Sequence, residues 1–233
     1  MKRILSVLFA IFLFAAATPA QEPVQQAKPA TAVVRFGFDW PAQNPPRYSI
    51  TVDANGHATY RSEPAADANG GSAPEPYTVE WNATDDTRRK IFEDVEKANY
   101  LHGNFEAKAK VAMTGMKTLA YKDASHDASA TFNYSENPEV RDLTHIFQSI
   151  AFTAEVGRKL EHDIRFDKLG VDSDLKGLQE QQKQGNAMEF GSIAPLLQKI
   201  ASDYAMMRMS QQRAKEMLRS AGLSSDPPAA AEK

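Results

Sequence analysis

The sequence predicts an α+β protein: an antiparallel sheet of about five to six strands under a covering helix, followed by a C-terminal helical segment. Three observations predict it. Apolar residues alternate with polar ones in several short runs before residue 135, the period of half-buried strands. From residue 137 onward they recur at three- and four-residue intervals, the period of amphipathic helices. Strands first and helices second segregate the two kinds of element, which is the α+β layout.

Residues 1–20 read as a signal peptide. Lys2 and Arg3 precede the apolar run Ile4 to Ala17, and small residues lead to Ala20, the order of a secretory leader. The run is shorter than the roughly 20 residues that span a bilayer. Cleavage is expected after Ala20, with Ala17 as the alternative. Loss of Lys2 and Arg3 leaves the remainder more acidic than the whole chain's formal charge of −3. Residues 21–31, with Pro23 and Pro29 and no periodicity, read as a flexible leader.

Residues 32–135 read as the sheet with one helix. Phe36, Phe38 and Trp40 share one face of a strand that Pro41, Pro45 and Pro46 end. Tyr48, Ile50 and Val52 lead into Asp53-Ala54-Asn55-Gly56 and a return strand. A two-residue Asn55-Gly56 turn would oppose Ile50 to Arg61 and mix the faces. A type I turn with left-handed Gly56 in a G1 bulge opposes Val52 to Ala58 and Ile50 to Tyr60. The second register keeps the apolar face intact, so it is the one expected.

Residues 63–76 lack apolar content and read as an exposed loop. Tyr77, Val79 and Trp81 alternate in a further strand. Thr84 is placed to cap a helix with Asp85 and Asp86 at its positive end; Ile91, Phe92, Val95 and Ala98 form its apolar face, and Gly103 its stop. This helix is the expected cover for the hairpin. Val111 is read as the start of an extended segment interrupted by Gly115 and continued by Leu119 and Tyr121. A turn over Asp123 to His126 then leads to a strand with Ala128, Ala130, Phe132 and Tyr134.

Residues 136–222 read as helical. Asn137 as cap and Pro138 at the first helical position open a helix to about Arg165, whose face is Val140, Leu143, Ile146, Phe147, Ile150, Ala154, Leu160 and Ile164. Such a helix outreaches the sheet. Asp172 or Ser173 is expected to cap a second helix that Gly185 stops; Pro195 introduces a third, and a last one carries Ala214, Met217 and Leu218 up to Gly222. Residues 223–233 read as a disordered tail.

The pieces Pro46-Arg47-Tyr48 to Tyr60 and Gly115-Met116-Lys117 to Tyr121 resemble a bacterial exported domain of unknown function. Its pattern is a Pro-x-Tyr strand, a glycine turn, a second strand, a helix and then Gly-x-Lys. That family usually carries a Cys-x-x-Cys pair just before the Pro-x-Tyr, where this chain has Ala42-Gln43-Asn44-Pro45. The resemblance covers residues 33–150 and implies the sheet-plus-helix layout, with no redox or metal role.

Composition excludes several chemistries. With no cysteine, the protein has no disulfide, thiolate metal site or lipidated N-terminal cysteine. An acidic balance without a basic run argues against nucleic acid. His57 and His126 sit beside turns; by helical phase His145 faces water and His162 lies on a flank. No His-x-x-x-His or Glu-x-x-His spacing occurs. Gly191-Ser192-Ile193 lacks a serine-hydrolase elbow; Thr114-Gly115 and Gly70-Gly71-Ser72 lack the lysine of a phosphate loop.

Asp85 and Asp86 point about 100° apart on a helix, so capping explains them better than acid–base work. Residues 158–168 alternate in sign and read as a solvated face. Met206, Met207, Met209 and Met217, with Tyr204, read as filling between helices, and Trp40 and Trp81 as buried strand ends.

No catalytic, cofactor or metal residue is therefore assigned and no cofactor is expected. The expected function is that of an exported, periplasmic or secreted, soluble cell-envelope protein acting as a binding or interaction module toward a protein or small ligand, without nucleic acid and without stable membrane insertion after signal cleavage. The competing reading is a hydrolase or metal-dependent enzyme with a site between sheet and helices. It requires convergence among His102, Asp142, His145, His162 and acidic residues.

Overall fold

A computed structural model describes residues 31–63 and 75–225. The segment read as a signal peptide, almost all of the 21–31 leader, most of the 63–76 loop and most of the tail lie outside the described residues. Among the described residues no helix is long and apolar enough to cross a membrane.

Six antiparallel strands form one sheet: β1 (Val33–Asp39), β2 (Arg47–Asp53), β3 (His57–Glu63), β4 (Tyr77–Asn82), β5 (Met116–Lys122) and β6 (Asp127–Phe132), in the order β4-β3-β2-β1-β5-β6. The β2–β3 register pairs Ile50 with Tyr60 and Val52 with Ala58, as the bulged turn requires. The Asp53 carboxylate accepts the amides of Asn55 and His57 at 2.9 Å each, and Gly56 takes φ 92°. One face is thereby largely apolar, with Val34, Phe36, Ile50, Val52, Tyr60 and Leu119 all buried.

The cover is shared. Helix α1 (Asp85–Lys97), capped by Thr84 through the amide of Thr87, contributes Ile91 and Val95. The larger share comes from α2 (Pro138–Phe166), capped by Asn137 through the amide of Val140. Its Val140, Leu143, Ile146, Phe147 and Ile150 complete the core against the strands, and Phe147 stacks on Phe36 with ring centroids 5.2 Å apart. The cover expected of α1 is thus shared with α2, whose 29 residues, about 43 Å of helix, cross the sheet and continue past it.

Beyond the sheet, Leu160 and Ile164 of α2 enter a second core with α3 (Gly170–Lys183), α4 (Ala194–Ser202) and α5 (Arg208–Ser220). Gly157 permits the junction. A Cβ there would lie 2.4 Å from Ile193 Cγ2, closer than atoms can approach, so the turn over Phe190–Ile193 packs directly on the α2 backbone.

Four boundaries differ from expectation. Helix α1 stops at Lys97 because Asn99, Tyr100 and Leu101 all take left-handed φ of 53°, 52° and 64°, which no right-handed helix passes through. Residues 102–115 are irregular and β5 starts at Met116, not near Val111. Helix α3 begins at Gly170, ahead of Asp172 and Ser173, with Asp167 Oδ1 accepting the Gly170 amide at 3.0 Å; β6 ends at Phe132, leaving Tyr134 outside and exposed.

Candidate functional site

The strongest candidate is a cleft of about 590 Å³ between the turn joining β1 to β2 and one stripe of α2, within the range of small-ligand sites. The turn contributes Gln43, Asn44 and Pro45, with the Asn44–Pro45 peptide cis. Bonds from the Trp40 amide to Pro46 O (2.8 Å) and the Gln43 amide to Trp40 O (3.0 Å) shape it. Helix α2 contributes Gln148, Phe152, Glu155, Lys159 and His162, whose three- and four-residue steps place them on one face.

Tyr48 lines the cleft and heads a row of tyrosines on the inward face of β2, β3 and β4, in which Tyr60 is fully buried. Tyr48, Tyr60 and Tyr77 follow at centroid distances of 5.9 and 6.4 Å. Glu155 stands over this row. Its Oε1 accepts the Tyr60 and Ser62 hydroxyls at 2.7 Å each, and its Oε2 accepts Arg158 Nε at 2.7 Å. Burial, then the Glu155 charge, pushes the Tyr60 hydroxyl well above the usual phenol range. Burial raises Tyr48 too, against a bond with Gln148, and raises Tyr77 with Glu161 and Glu155 adding to it. These phenols remain neutral donors, and both Glu155 oxygens are occupied.

The rim cations are held in the same way. Lys159 pairs with Asp174 and, at 3.5 Å, with Asp163, which also meets His162 Nδ1 at 2.9 Å. The bond with His162 holds the Asp163 carboxyl low, whereas burial raises that of Asp174. Among the described residues no group of three or more His, Cys, Asp or Glu is placed to hold a metal ion. The cleft is a preformed surface of donors, acceptors and an exposed Phe152 ring edge.

Residues named from the sequence are dispersed. Asp142 meets Lys90 at 3.0 Å; His145 is exposed beside a separate cavity of about 310 Å³; His162 belongs to the cleft; His102 lies at the far end near His126. His57 is exposed. His126, expected in solvent, is instead half-buried: its ring stacks on Tyr100 at 3.9 Å, and Asp123 contacts its Nδ1 at 3.2 Å. Asp123 also accepts the Tyr121 hydroxyl at 2.7 Å and the amides of Ser125 and His126. These bonds, Tyr121 first, hold its carboxyl well below the ordinary range. Asp85 and Asp86 pair with Arg88 and Arg89 at the start of α1. Trp81 is buried and Trp40 half-buried; Met206 and Met217 fill the helical core while Met207, Met209 and Tyr204 do not.

Two of the buried charges, Lys117 and Glu189, join separate segments and were not anticipated. Lys117 follows the inward phase of Leu119 and Tyr121 on β5, and its ammonium donates to Thr114 Oγ1 (2.9 Å), Gly115 O (2.9 Å) and Asn133 O (2.7 Å). Burial lowers its proton affinity, with Glu106 opposing. All three N–H bonds are used, so Lys117 clamps the 102–115 segment to the end of β6. Gly115 beside it has φ 95°, and a Cβ would sit 2.6 Å from the Phe38 ring. The Gly-x-Lys pair of the resemblance thus has a packing reason here.

The other is Glu189, which accepts Trp81 Nε1 (3.1 Å), the Thr84 amide (3.1 Å) and the Thr84 hydroxyl (2.7 Å). It ties the helical region to the β4–α1 corner. Inward phase on β5 could have identified Lys117; nothing local marks Glu189. Neither a protein-family model nor a curated relative matches the chain, and the reading of the site rests on its own geometry.

Proposed function

We propose that this chain is an exported, soluble cell-envelope protein, periplasmic or secreted, that binds a small ligand or a peptide side chain in the cleft between the 41–46 turn and α2. The observation that carries the reading is the state of the cleft's polar groups. Glu155, Lys159 and His162 are each committed to a neighbour, while Tyr48 and Phe152 offer an amphipathic wall. Preorganised walls of this kind favour binding because little ordering remains to oppose it. Export is supported by the basic start, the apolar run 4–17 and the small residues up to Ala20.

The test is thermal denaturation of the processed protein across a panel of small amphipathic compounds and short peptides, since a ligand at a hundred times its Kd stabilises by about 2.7 kcal/mol. A hit should weaken at least about tenfold in Phe152→Asp, which places a charge on an exposed part of the wall. Turnover of a panel member without saturable binding, or hits indifferent to Phe152→Asp, would sink the reading. N-terminal sequencing of envelope protein tests the export half; a chain beginning at Met1 contradicts it.

A further inference from the structure

The three most exposed large apolar side chains among the described residues are Tyr204 (99% exposed), Leu169 (77%) and Phe166 (75%). They belong to two turns, α2–α3 and α4–α5, that lie at one end of the molecule. Arg213 of α5 bonds Asp172 at the start of α3 (3.0 Å), and Gln182 near the end of α3 bonds Ser220 at the end of α5 (3.0 Å). The two helices therefore run side by side in the same direction, and their starts coincide. Met207 and Met209 add to the same tip, at 38% and 56% exposure.

The sequence at this tip departs from what helix stability favours. The N-cap positions of α3 and α5 are Leu169 and Met207, without a side-chain capping bond, where Ser, Thr, Asp or Asn would stabilise the helix. Solvent-facing apolar residues thus hold both N-cap positions, α3 taking its capping bond from Asp167 two residues earlier, and such residues mark a surface kept for contact. Its local charge is weakly positive, Arg165, Lys168 and Arg208 standing against Asp167 and Asp203. Arg165 and Lys168 flank Phe166 and Leu169 in sequence and Arg208 stands between Met207 and Met209, with no ion pair to any of the three among the described residues. The nearby carboxylates are engaged, Asp167 with the Gly170 amide and Asp203 with the Ala205 amide.

We propose that this tip docks peripherally on a bilayer surface carrying anionic headgroups. The apolar side chains are exposed at and beside two turns, so a rigid partner would need a matching pit whereas lipid deforms around them. Aromatic and aliphatic anchors encircled by Lys and Arg are the composition of interfacial binding. The ring of Phe166 lies 4.9 Å from that of His162 at the cleft's rim, so docking would hold the cleft about one helical turn from the headgroups. The proposal is independent of what the cleft holds.

Because the chain has no cysteine, Ala205→Cys in the processed protein carries a single environment-sensitive fluorophore at the tip, and Lys183→Cys one at the other end of α3. Every variant begins after Ala20, so the apolar run 4–17 contributes nothing to partitioning. With vesicles of equal parts phosphatidylglycerol and phosphatidylcholine at low salt, the Ala205→Cys label should shift to the blue and the Lys183→Cys label should not. The shift should vanish with pure phosphatidylcholine. Phe166→Ser with Leu169→Ser should weaken partitioning about tenfold or more, and Arg165→Gln with Lys168→Gln should weaken it at low salt while leaving the far-ultraviolet circular dichroism unchanged. No shift, an equal shift at both positions, a shift that survives the double serine variant, or one that grows with protein concentration without vesicles would each overturn the proposal, the last in favour of a second copy of the chain.

Discussion

Replacing Lys117 by methionine keeps most of the stem's volume and removes the ammonium from the Thr114 hydroxyl and from the carbonyls of Gly115 and Asn133. Stranding these acceptors should cost about 2–3 kcal/mol, read as a lower urea midpoint; a midpoint equal to wild type would mean that the clamp is idle. Asp123 gives a pH prediction. Its carboxyl titrates below the ordinary 3.8 in the folded chain, so its contribution is present above that value and is lost as pH falls toward the folded-state value. Acid titration of stability below about pH 5 should therefore be steeper in wild type than in Asp123→Asn, and parallel curves would refute the assignment. Neither residue announced itself. Lys117 is a charge in an apolar phase, which a reading of hydrophobic periodicity passes over, and the environment of His126 depends on Tyr100, brought over it by a left-handed turn with no glycine to signal it.

The elements with strong local grammar were legible: Asp53 to Gly56 dictated the hairpin's register, and Asn137-Pro138 the start of α2. Boundaries decided by tertiary contact were not. The late start of β5 follows from Glu106 and Asn133 holding residues 102–115 as irregular chain, through the bond from the Asn133 amide to Glu106 at 2.6 Å, and the early start of α3 from Asp167 capping Gly170. Gly157 belongs to the same class. In isolation, alanine at a helix-interior glycine gains up to about 1 kcal/mol. Here its Cβ would strike Ile193, which is fully buried. Gly157→Ala should thus lower stability, by about 1–3 kcal/mol for an overpacked core; a rise in the melting midpoint would show that the 190–193 turn yields.

At the scale of the molecule, two apolar cores share one helix, and Glu189 crosses between their neighbourhoods. Glu189→Ala leaves Trp81 Nε1 and the Thr84 amide without their acceptor and should cost about 2–4 kcal/mol. Native-state hydrogen exchange should show amides of α3, α4 and α5 losing protection before those of the sheet; uniform loss would mean that the cores stay coupled through α2 alone. The cleft could not be read from the sequence because its walls, the 41–46 turn and α2, stand about a hundred residues apart, and Glu155 meets Tyr60 across 95 positions.

The continuity of α2 also limits how the gene can drift. One residue inserted between Ala154 and Leu160 would rotate everything downstream by about 100° and push it along by about 1.5 Å. Leu160 and Ile164 would swing out of their core, and the lengthened stripe would carry Lys159 and His162 away from Glu155. Descendants of this chain can gain or lose residues in the connections at either end of the helix, while the tally of residues along its middle is held fixed by two masters at once.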